Sequence, residues 1–156
     1  MTVRRPDFSQ AKFETDLVLK RQVEAVRRDG ARVEAIVVED YRVSFLWDGA
    51  RWSITVPAGF QAAPSVPPRL HGLVPFWGAL FEASIVHDWC YWTRCFDPHS
   101  AGGSGRRSAD KLLCGLMRAG GASMADAGEV FMAVHLFGGD RYQVNQFRPD
   151  NHLAPC

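Results

Sequence analysis

No stretch of this chain approaches the roughly 18 consecutive apolar residues that a membrane-spanning helix needs. The N-terminal Met-Thr-Val-Arg-Arg-Pro-Asp-Phe has no apolar run behind its arginines. A signal peptide is therefore not expected, and a reducing cytoplasm is the expected site of synthesis. Charge of one sign is also scarce. Lys and Arg number 18 against 17 Asp and Glu, a formal net charge of +1. That gives no whole-molecule attraction to nucleic acid or to a membrane surface. Cysteine is sparse, with four residues at 90, 95, 114 and 156. We read them as free thiols or core fillers rather than a disulfide framework. Five positions along one helix put Cys90 and Cys95 on different faces, which argues against a bond between them. Internal repeats are missing as well.

What is present suits one globular domain of 156 residues with a sizeable core, 47% hydrophobic and 12% aromatic. Residues 1–12 are polar and read as an arm, followed by a domain over 13–138 and a tail over 139–156. The spacing of Leu17, Val18, Val23 and Val26 predicts a helix from Phe13 to Arg28, stopped at Asp29-Gly30. A strand is the rival over Asp16–Lys20, because Leu17 and Leu19 alternate. Val33–Val38 predicts a strand. Val43, Phe45 and Trp47 alternate, as do Trp52, Ile54 and Val56, and Asp48-Gly49 between them predicts a tight hairpin. Pro57–Pro75 holds five prolines and two glycines, which excludes a long helix or central strand and predicts a packed loop.

Three helices are expected after it. The first runs from Phe76 to about Cys95 and ends in a flexible loop through Gly105. The second runs over Ala109–Ala119, capped by Ser108 and stopped at Gly120-Gly121. The third is capped by Ser123, ends at Phe137 and is stopped at Gly138-Gly139. The tail has no clear period.

The stretch Ser84–Cys95 carries the clearest chemical pattern. On a helix, His87 and Tyr91 share one face, one turn apart. Asp88 lies about 100° around the axis. A polar pair inside an apolar run either braces packed helices or does chemistry, and both readings stand at this point. Asp110, expected in the first turn of its helix, is favourable there on charge grounds alone. Tyr91 also reads as a buried aromatic with one bonded hydroxyl. A metal set from His87, Asp88, Cys90, Cys95 and Cys114 fits no usual zinc spacing. Ser65 and Ser84 lack a nucleophile elbow. Arg106-Arg107 reads as a solvated pair, and no nucleic-acid partner is predicted. The five tryptophans read mostly as core, with some available to an interface.

Several blocks recur in a recognisable order. They are Ile54-Thr55-Val56-Pro57-Ala58-Gly59-Phe60, Ser65-Val66-Pro67-Pro68-Arg69-Leu70, Val74-Pro75-Phe76-Trp77-Gly78, Val86-His87-Asp88-Trp89-Cys90-Tyr91 and Arg107-Ser108-Ala109-Asp110-Lys111. Together they resemble the phage and bacterial family of domain of unknown function 1353, over about residues 33–138. That resemblance implies a small α+β domain, often encoded in phage or prophage genomes. The helical half is also similar to the core of phospholipases A2 of the bacterial and fungal branch. This second resemblance implies His87 as general base, Asp110 orienting its imidazole, Tyr91 bonding Asp110, and Asp88 helping to hold calcium. No glycine-rich calcium loop stands before His87. Where members of the first family carry an aspartate after the Gly-Phe pair, this chain reads Gln61-Ala62-Ala63-Pro64.

The expected fold is α+β: an N-terminal β-hairpin in a small antiparallel sheet, then a three-helix unit with the His-Asp motif on its central helix. The expected function is a bacteriophage virion or assembly protein of tail, neck or capsid, built on a phospholipase A2-like core. Its expected partners are other phage structural proteins or a second copy of the chain, in the virion or the host cytoplasm. The alternative is a calcium-assisted hydrolase of phospholipid or another ester, for which membrane lipid is the partner. Calcium is the one cofactor the resemblance brings.

Overall fold

The computed structural model describes residues 6–21, 26, 33, 35–63, 78–100, 105–144 and 153–155. Its first sheet is built on the hairpin of β4 (Tyr41–Trp47) and β5 (Ala50–Val56). Asp48 and Gly49 turn the chain at φ 52° and 76°, the doubly positive pair that a twisted two-residue hairpin requires. Val43 then faces Ile54 and Phe45 faces Trp52. Val43, Phe45, Ile54 and Val56 are fully buried, so the alternating side forms the inner face of the sheet.

The remaining strands come from segments with weaker patterns. Residues 6–12, expected in an arm, form β1 (Pro6–Phe13) together with Phe13, antiparallel to β4. Its register slips: Asp7 pairs with Leu46, yet Lys12 pairs with Ser44. Such a bulge breaks strict alternation, which hides the strand in the sequence while still burying Phe8 and Ala11. The helix expected over Phe13–Arg28 does not form in the described part. Leu19–Arg21 is β2, paired with β3 (Ala35–Val37), so the alternation of Leu17 and Leu19 was the true signal. The expected stop at Asp29-Gly30 lies outside the described residues. β3 falls inside the strand predicted at Val33–Val38. Gln61–Ala62 is β6, on the other edge of β3; residues 64–75 of the predicted packed loop, and Phe76 and Trp77 at the start of the first predicted helix, lie outside the described residues. The sheets run β1-β4-β5-β7 and β2-β3-β6.

The helical half begins with α1 (Ala79–Thr93). A short 3-10 turn at Asp97–His99 follows it; residues 101–104 of the predicted flexible loop lie outside the described residues. α2 spans Gly105–Ala119, so Ser108 lies within the helix and not at its cap. α3 (Met124–Phe137) begins as predicted, with the Asp126 N–H donating to Ser123 Oγ at 3.0 Å. Among the described residues of the tail, Gly139–Val144 is the short helix α4, and Leu153–Pro155 is β7, paired with β5. A three-residue strand with proline at a sheet edge leaves little pattern to read.

The architecture is therefore α+β, with small antiparallel sheets ahead of a three-helix unit. α2 packs on α1, α3 and β1. Its approach to β1 is close, since a Cβ at Gly115 would run into the Phe8 carbonyl. Phe8, Phe45 and Phe96 interlock with ring centroids 5.1–6.0 Å apart, which ties the end of α1 to the sheet. Among the described residues, no helix is long and apolar enough to cross a membrane.

Candidate active site

α1 is apolar around most of its circumference. Leu80, Phe81, Ile85, Val86, Trp89 and Cys90 are all buried against the sheet and α2. His87 is the exception in its middle turn, with its side chain 13% exposed. One turn later Tyr91 is buried, its ring centroid 4.1 Å from that of His87. From α2, the fully buried Asp110 meets both: its Oδ1 lies 2.9 Å from His87 Nε2 and 2.6 Å from the Tyr91 hydroxyl. α2 begins at Gly105, which puts Asp110 in the second turn. The helix N-terminus therefore does not account for this buried charge; its hydrogen-bond partners do.

These contacts fix protons. Carboxylate oxygens only accept, so Nε2 of His87 carries the hydrogen, and in the neutral ring Nδ1 keeps the lone pair. Burial alone would raise the Asp110 carboxyl. Its bonds to His87, Tyr91 and His135 outweigh burial and hold it below the usual carboxylate range. Burial, reinforced by the Asp110 carboxylate, pushes the Tyr91 hydroxyl up, so it remains a donor near neutrality.

His135 was not foreseen. It stands in the last turn of α3, its Nδ1 3.2 Å from the second oxygen of Asp110, Oδ2. Its ring stacks on Phe131 at 5.3 Å, and its backbone carbonyl accepts from Arg106 Nη2 at 2.8 Å. The usable signal was topological: an antiparallel α2–α3 pair turning at Gly120-Gly121 sets the start of one helix beside the end of the other. Arg106, read as solvated, is half-buried between α3 and Tyr91.

Asp88 takes a different direction. It is buried, and its Oδ2 accepts the Ala63 N–H at 2.9 Å, bracing α1 against the segment after β6. Calcium takes six to eight oxygen ligands. Among the described residues, no group of three His, Cys, Asp or Glu side chains comes together where an ion would sit.

Ser84 is also accounted for: its Oγ donates to the Leu80 carbonyl at 2.6 Å. Ser65 lies outside the described residues. Cys90 and Cys95 are close after all, and both are free thiols. α1 stops at Thr93 and the chain reverses at Arg94, φ 52°. That brings the Cys95 thiol into hydrogen-bonding reach of Cys90, whose own thiol burial pushes well up. Both are free, as expected; the helix-face premise does not apply to them, because the helix ends at Thr93, before Cys95.

Fold and site together define an α+β protein that carries a buried carboxylate, shared by two imidazoles and a tyrosine, where three helices meet. The chain belongs to the family described as Protein of unknown function (DUF1353), which matches residues 36–134. The match takes in β3 through nearly all of α3, including His87, Tyr91 and Asp110. No curated protein and no solved structure matches the chain.

Proposed function

We propose that the chain is a hydrolase of phospholipid or another ester, with His87 as general base and a phospholipase A2-like use of the His-Asp helix. The observation that carries this reading is the bond from His87 Nε2 to the buried Asp110. It leaves Nδ1 as the basic nitrogen of a side chain that is 13% exposed. A water bonded to Nδ1 loses a proton to it as its oxygen attacks the ester carbonyl carbon. Asp110 stabilises the imidazolium that forms, and Tyr91 holds the carboxylate in place. The imidazolium then returns the proton to the departing alkoxide as the C–O bond breaks. The test is turnover of a short-chain phospholipid and of a simple carboxylic ester, each with and without a chelator. Turnover that survives chelation is the expected result. No turnover of either substrate overturns the reading.

A second reading is favoured by a separate observation. Met124, Met132, Leu136 and Phe137 on α3 are 53–78% exposed. Met124, Met132 and Leu136 fall at multiples of four residues, so they form one apolar row. A large solvent-facing apolar row on a helix suits a partner surface. It supports a bacteriophage virion or assembly role, in which α3 packs on another structural protein or a second copy. An active ester site and a place in a particle are compatible. Purified particles should contain the chain, and Met132→Ser with Leu136→Ser should release it. A stable monomer absent from particles counts against this role.

A further inference from the structure

We infer that His135 is a positioning residue for the Asp110 carboxylate. Asp110 is fully buried and has two oxygens to satisfy. Oδ1 receives His87 and Tyr91, both from α1. Oδ2 receives Nδ1 of His135 from α3. With donors on one oxygen only, the carboxylate is free to rotate about its Cβ–Cγ bond, a soft two-fold torsion. A donor on the other oxygen, fixed to a different helix, sets the plane in which Oδ1 faces His87 Nε2.

His135 is itself held from several sides, as a positioning group must be. Phe131 stacks on its ring with the planes 8° apart. Arg106 holds its carbonyl from α2. Beyond it, Gly138 lets the chain pass over Tyr91, since a Cβ there would come 2.8 Å from the Tyr91 hydroxyl. The end of α3 thus closes over the carboxylate and both of its α1 donors. His135 lies outside the 36–134 segment shared with the family, so membership does not supply this role. The chemistry is an imidazole–carboxylate–imidazole array in which one imidazole faces substrate and the other fixes the acceptor.

The inference rests on the hydrolase reading only for its kinetic consequence; the geometric claim stands apart from it. The experiment is nitrogen-15 NMR of the histidine rings in the full chain, wild type against His135→Leu and His135→Asn. Asn places an amide donor near the Nδ1 position and Leu has none. In the wild type, His87 should hold the single Nε2–H tautomer with a slowly exchanging ring proton. In His135→Leu that tautomer should mix and its proton exchange faster, and in His135→Asn both should return. Where an ester is turned over, kcat should fall by roughly tenfold or more in His135→Leu with KM little changed, and recover in His135→Asn. A His87 tautomer unchanged in a folded His135→Leu overturns the inference, whatever the outcome of the ester assay. Loss in both variants to the same degree also overturns it, because a merely structural role predicts that. Wild-type protein that shows the single tautomer but turns over no ester contradicts the hydrolase reading and leaves this one supported.

Discussion

Asp110 is the residue on which the helical half depends, because its charge is buried and fully employed. Replacing it with Asn keeps the volume but sets an amide donor against groups that themselves donate. Hydrogen bonds to buried charges and broken buried pairs set the scale, so Asp110→Asn should cost about 3 kcal/mol at neutral pH. The pH dependence follows from the same contacts. The folded carboxyl is held below its ordinary value of 3.8. The network's contribution is therefore fully present above that value and is lost as pH falls through the folded value. Urea unfolding across the acid range should show wild-type stability falling there and a flatter profile for Asp110→Asn. Equal acid slopes would contradict this account of the charge. At this scale spacing was informative for His87 and Tyr91, because a histidine and tyrosine four apart on a helix must share a face, whereas the place of Asp110 beside them was only what the phospholipase A2 resemblance implied. It was silent on His135, a single imidazole in an apolar helix whose neighbour is set by helix pairing and not by spacing. The helix-face argument does not extend to Cys95, because one left-handed residue, Arg94, redirects the chain before it.

Among the elements, α2 is the one that joins the two halves, touching α1, α3 and β1. Its contact with β1 turns on Gly115. In a free helix, alanine would be better than glycine by up to about 1 kcal/mol. Here a Cβ would press on the Phe8 backbone, and overpacking of that kind costs about 1–3 kcal/mol. Gly115→Ala should therefore be a net loss, seen as a lower urea midpoint with an unchanged slope. A rise in stability would mean that α2 stands further from β1 than described. Helices and the β4–β5 hairpin were legible because their signals are local: apolar spacing, the Ser123 cap, an Asp-Gly turn. Strands β1 and β7 were not, because each is bulged or at an edge and is held by a partner remote in sequence, and β2 was visible only as a rival to a helix. The helix expected at Phe13–Arg28 lost to pairing with β3, a contact that no window of that segment contains.

For the molecule as a whole, the class of fold followed from the order of the patterns, alternating residues first and helical spacing after. The family followed from blocks that lie along the same order, and the match over residues 36–134 agrees with it. Spacing alone could not join His87 to a carboxylate 23 residues away; the resemblance implied the pair, and the packing of α2 on α1 makes it. The central claim is that this packing makes His87 a working base. Its most direct test is the rate of ester hydrolysis by His87→Ala beside the wild type, at matched folded fraction and with chelator present. General-base catalysis contributes about 10²–10⁴-fold, so at matched folded fraction the variant should lose at least a hundredfold in kcat, although removing one donor from the buried Asp110 also lowers its melting point. Hydrolysis by His87→Ala at the wild-type rate would contradict the account.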